Sequence, residues 1–172
     1  MMNAPPVDSR RARLRRVRAL LALFAAALAL SGATALFLPS EARALVGALW
    51  GDAAPGTSWA PALHAWLARC RDALADVGTR HPFLYYGTDW LAFAHFVLAI
   101  LFLGAARDPV RNVWAIQFGL ICCAGVVLFA AVAAPLRGVP WVWVPVDAAF
   151  GVFGAVPLLL ALRDIRHLEA SR

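Results

Sequence analysis

The chain has 172 residues, 62% of them hydrophobic and 15% charged, with a mean hydropathy of +0.71. Soluble domains are about half apolar and about a quarter charged. This composition excludes an ordinary soluble globule and, with each bilayer crossing using about 20 residues, leaves no length for a second, soluble domain. The net charge of +6 gathers ahead of the first apolar run, where Arg10, Arg11, Arg13, Arg15, Arg16 and Arg18 stand against Asp8 alone, a pattern that marks a cytoplasmic flank touching anionic lipid heads rather than a nucleic-acid patch.

Taken in chain order, residues 1–18 are the basic cytoplasmic N-terminus and 19–38 the first transmembrane helix, stopped by Pro39. Ala22, Ala25, Ala29, Gly32 and Ala33 recur along it at helical spacing, which permits close approach of another helix. A signal peptide is the alternative, since Ala42-Arg43-Ala44 offers a cleavage pattern. The apolar run is longer than the 7–15 residues or so of a usual signal core, which favours a retained anchor.

Residues 39–88 form an extracytoplasmic loop with amphipathic helices. One is expected over 41–50, capped by Ser40 and closed by Gly51; a second runs over 59–77 and ends at Gly78. Leu63, Trp66, Leu67, Cys70, Leu74 and Val77 share one face of the second helix, while Arg71, Asp72 and Asp76 fall on another. Such a helix lies on the membrane surface, caps the bundle or acts as a lid.

A three-helix transmembrane unit, 89–162, follows, with spans at 89–106, 113–134 and 141–162. Thr88 or Asp89 caps the first, Asn112 caps the second, Pro135 stops it, and Pro145 and Pro157 sit in the third. The tail, 163–172, is cytoplasmic. Arg107, Asp108 and Arg111 are expected to bridge to Arg163, Asp164 and Arg166 as a clamp between the hairpin and the last helix. With both termini inside, eleven arginines fall on the inner side and five on the outer, in the sense of the positive-inside rule. The fold class is therefore all-α: a polytopic integral membrane protein with four transmembrane helices. The absence of lysine and the abundance of arginine and alanine fit a GC-rich bacterial genome, and so the bacterial cytoplasmic (inner) membrane.

Ionisable residues inside spans are costly and usually face the bundle interior. His95 and Asp147 are the two here. At 1.5 Å per residue, His95 lies about 7–8 Å past Trp90 and Asp147 about 6–9 Å past Trp143 and Trp141, so the two are level in the outer leaflet. His95 shares a stripe with Thr88, Ala92 and Ala99, and Asp147 shares one with Gly151, Gly154 and Ala155. A His95–Asp147 pair would hold the imidazole in one tautomer and favour its charged form. The pair is either structural or a catalytic acid/base with its orienter. Arg137, alone in a short outer turn and followed by Trp141, is a candidate anion contact; Asp89 and Trp141 are ligand-binding candidates beside it. A metal site needs three or more ligands, and Asp89, six residues from His95, lies about 240° round the helix. No metal, haem or other cofactor is expected.

No nucleotide-binding, metalloprotease or serine-hydrolase motif occurs. The first functional reading is a small inner-membrane accessory subunit acting through a membrane-protein partner or as a homo-oligomer, more a binder than an enzyme. The second is binding of a hydrophobic small molecule or lipid, with or without chemistry, at the His95/Asp147 site. The third is an oligomeric proton or ion pathway.

Overall fold

The computed structural model describes residues 7–170. The first six positions of the basic N-terminus, and Ser171 and Arg172 of the tail, lie outside the described residues. The fold is all-helical, with 88% helix and no strand among the described residues. Six α-helices succeed one another: α1 Val7–Leu36, α2 Leu38–Trp50, α3 Pro61–Arg80, α4 Tyr86–Arg107, α5 Val113–Leu136 and α6 Val144–Glu169. One-turn 3₁₀ segments at Pro55–Thr57, Pro82–Tyr85 and Trp141–Trp143 punctuate the connections. Prolines open α2, α3 and α6 at the first or second helical position, where the missing N–H has no intrahelical partner to lose. Four stretches are long and apolar enough to cross a membrane: Arg10–Leu36, Pro82–Arg107, Val113–Leu136 and Trp141–Glu169.

Several boundaries depart from the sequence expectation. Helix α1 does not begin at the apolar run; it reaches back to Val7 and carries the arginines on its own turns. Arginine and alanine are good helix formers, so nothing in 10–19 interrupts the helix. Helix α3 runs through Gly78 to Arg80; a Cβ at Gly78 would come within 3.3 Å of the Tyr85 ring, whose hydroxyl donates to the Leu74 carbonyl. Helix α5 passes through Pro135 and ends one residue later, at Leu136. Its end is a Schellman motif: Val139 N–H donates to Ala134 O at 2.9 Å and Gly138 N–H to Pro135 O at 3.1 Å, with Gly138 at φ +67°.

The chain divides into two compact units. The first unites α1 up to Leu28 with everything from Val97 onward. Its core is Val17, Leu21, Phe102, Ile116, Leu158 and Ile165, each at 2% exposure or less, and Phe24 meets Phe102 edge-on at 4.6 Å. Helices α5 and α6 pack most closely of all. A Cβ at Gly151 would collide with the Cys123 carbonyl, and one at Gly119 would sit 2.7 Å from Leu158 and Phe102. Gly151 and Gly154, on the stripe expected to mark a helix contact, therefore sit in one inside this chain, with Gly154 facing Cys123 Sγ and the Phe24 ring.

The second unit is Ala29–Phe96. In it Gly32 of α1 lies against Ala92 and His95 of α4, its ideal Cβ position 3.0 Å from each. Helices α2 and α3 form a hairpin whose turn includes Gly51 at φ +56°. Trp50, buried at the end of α2, stacks on His64 at 4.3 Å with ring planes 5° apart and meets Trp59 at 5.7 Å. The buried residues of α3 are His64 and Leu67, so the apolar face is centred a little off the expected stripe, toward Trp50.

Candidate functional site

Asp147 lies in the first turn of α6, where Pro145 starts the helix and a carboxylate complements the dipole. Arg137 follows the last residue of α5, its backbone N–H donating to Ala133 O and Ala134 O at 3.1 Å. The Schellman turn thus fixes the backbone at Arg137 while its side chain stays exposed. Both residues line one recess of about 320 Å³ whose remaining walls are Val126, Phe129, Ala130, Ala133, Ala134 and Val139. A cation and a carboxylate over an apolar wall can receive an amphiphile carrying a polar head.

The other candidates lie elsewhere. His95 is half-buried on α4, and its Nδ1 donates to Leu91 O at 2.8 Å within the same helix. A carbonyl only accepts, so Nδ1 carries the proton in that bond. His95 and Asp147 belong to different units. On the stripe of His95, Ala92 is 1% and Ala99 5% exposed. Asp89 is exposed in the first turn of α4. Trp141 is 78% exposed and does not line the Arg137 recess.

The expected clamp has different partners. Asp164, at 5% exposure, pairs with Arg13 at 3.6 Å and Arg16 at 3.5 Å. Arg111 pairs with Asp108 in its own turn at 3.9 Å, and the Arg107 carbonyl accepts a bond from Arg18 at 2.9 Å. The reason is the length of α1. Its extra turns bring Arg13 and Arg16 to Asp164, so α1, not the α4–α5 turn, supplies the charge partners of that carboxylate, whose buried Oδ2 accepts no hydrogen bond from the chain.

Sequence reasoning missed His64. It is 3% exposed, and both His64 Nδ1 and Trp50 Nε1 are buried without a partner in the chain. The available signal was its position one turn before Leu67 on an amphipathic helix that follows two tryptophans. Burial pushes the Cys70 thiol of α3 up, opposed by Arg69, so this thiol is less nucleophilic than a free one at neutral pH. The Asp72 carboxylate, bonded to Arg71 at 2.8 Å, holds that guanidinium in its charged form. No group of three or more metal-ligating side chains gathers among the described residues.

No family model matches the chain, and neither a curated protein nor a solved structure matches it.

Proposed function

We propose that the chain is a multi-pass integral membrane protein that acts by association within the bilayer, as an accessory component of a larger assembly or an oligomer. In this reading Arg10–Leu36, Pro82–Arg107, Val113–Leu136 and Trp141–Glu169 span the cytoplasmic membrane of a bacterium with both ends inside. The observation that carries it is Gly125. Glycine inside a membrane helix lets another backbone come close, and Gly119, Gly151 and Gly154 are each met by a neighbour inside the chain. Gly125 has nothing within 4 Å of its ideal Cβ and lies among Ile121, Cys122, Leu128, Phe129 and Val132, all exposed. Such a face fits a helix of a partner or of a second copy.

The test is native mass measurement in mild detergent for wild type and Gly125→Leu. A heavier species in wild type that the variant loses, at unchanged melting temperature, supports the reading. A wild type that is a lone monomer sinks it.

The recess of Arg137 and Asp147 favours a second reading, binding of a lipid or other hydrophobic amphiphile. Arg137→Gln and Asp147→Asn are then expected to lose ligand without losing the fold, and His95→Ala tests whether that residue takes part. Loss of folding alone in these variants assigns them a structural role.

A further inference from the structure

We propose that a second recess, between α1 and α4 at the arginine-rich end of the first unit, seats the phosphate of an anionic phospholipid. The proposal rests on the membrane-spanning reading above. The recess is a shallow, widely open hollow of about 460 Å³ lined by Arg18, Ala22, Leu103, Ala106 and Arg107.

Its charge is one-sided. Two arginines, Arg18 and Arg107, are among its lining residues, and no acid is. Of the acids of this end, Asp164 pairs with Arg13 and Arg16 and Asp108 with Arg111. Arg18 spends one donor on the Arg107 carbonyl, which leaves the rest of its five-donor fork available. The Arg18 guanidinium, held at the Arg107 carbonyl, brings positive charge to a hollow whose lining has no acid to neutralise it. Phosphate is the anion whose oxygens match the guanidinium fork two at a time.

The remaining wall is apolar. Ala22, Leu103 and Ala106 leave room beside the backbone, and Leu23 next to them is 62% exposed. A free phosphate gains nothing from that surface, whereas a lipid lays the start of its acyl chains along it. Depth agrees. Arg18 immediately precedes the apolar run of α1, and Arg107 closes that of α4, so both heads sit where a phosphate layer would be.

Helix α1 also sorts its arginines by direction. Arg13 and Arg16 turn to Asp164. Arg11, Arg15 and Arg18 recur every three to four residues with Ala22 and so share another stripe. That stripe runs from the aqueous end of the helix into the recess and draws in an anionic headgroup.

The test uses the full chain in nanodiscs of phosphatidylcholine with and without phosphatidylglycerol, followed by native mass spectrometry of the detergent-released protein. Wild type is expected to retain phosphatidylglycerol in preference to phosphatidylcholine. Arg18→Gln and Arg107→Gln are each expected to lower the retained fraction about tenfold, as loss of a charge-assisted contact does. Arg163→Gln, outside the recess, leaves retention unchanged. Arg18→Lys with Arg107→Lys keeps the charge and is expected to retain lipid more weakly than wild type, which guards against a glutamine variant that fails to fold. Equal retention of the two lipids, or undiminished retention in both glutamine variants, overturns the proposal. Displacement of phosphatidylglycerol by inorganic phosphate overturns the lipid as occupant and assigns a free-anion site. A chain that is monodisperse without detergent overturns instead the membrane reading on which this one stands.

Discussion

Asp164 shows how one carboxylate divides a set of arginines. It is nearly buried, while Arg13 and Arg16 keep 46% and 59% of their side-chain surface exposed. The asymmetry sets the cost of breaking the contact. Removing the arginines strands a buried charge, whereas removing the acid leaves two cations that water can solvate. Arg13→Ala with Arg16→Ala is therefore expected to destabilise by about 3 kcal/mol, and Asp164→Asn by about 1 kcal/mol. Thermal unfolding in detergent checks the order, and an equal or larger loss for Asp164→Asn contradicts it. Cys70 gives a pH test at the same scale. Burial favours its protonated form, so the stability this contributes is lost as pH rises from the ordinary thiol range toward the higher value in the folded protein. In a chain carrying Cys122→Ala and Cys123→Ala, alkylation of Cys70 is expected to reach half its maximal rate at a higher pH when folded than when unfolded.

At the scale of the element, the α5–α6 pair and the α2–α3 hairpin depend on different devices. Gly151 allows the two membrane-type helices to touch backbone to backbone at Cys123. Gly151→Ala is expected to cost about 1–3 kcal/mol by overpacking, while Gly125→Ala, with open space at its Cβ, gains up to about 1 kcal/mol in isolated protein from helix propensity. Melting curves of the two variants should therefore move in opposite directions. The hairpin is closed by Gly51 at φ +56° and filled by Trp50 on His64. Gly51→Ala is expected to cost about 1–2 kcal/mol, because a Cβ in that region meets the following carbonyl. Its effect should appear first as faster proteolysis within 51–60. The six helices were readable from alanine, leucine and proline placement. Their ends were less so: Pro135 reads as a stop, yet a helix in its last turn loses only one bond to a proline, and the Schellman turn beyond it satisfies the rest.

At the scale of the whole molecule, four apolar stretches and a one-sided distribution of arginine make a statement about threading. If the positive-inside rule governs this chain, an enzymatic reporter fused after Arg172 reports a cytoplasmic location, and one inserted at 52–58 reports the opposite side. A reversed pair of signals removes the assigned orientation. The functional candidates were only partly legible at this scale. Arg137 and Asp147 were each singled out by isolation in an apolar setting, but their sharing one recess follows from how α5 ends and α6 begins. His64 was invisible because burial of an imidazole on α3 depends on where Trp50 of α2 stacks.

The sequence by itself determined what is local and additive: that the chain is helical, that four stretches have the length and apolarity of spans, and that charge gathers at particular ends. Hydropathy and helix propensity sum along a chain without reference to distant residues, so they can be read in order. Tertiary structure alone decided which arginines meet Asp164, which glycines are occupied and which remain open, and which side chains share a recess. Those outcomes depend on the length and rotation of helices far apart in sequence, where the extra turns of α1 change the partner of Asp164.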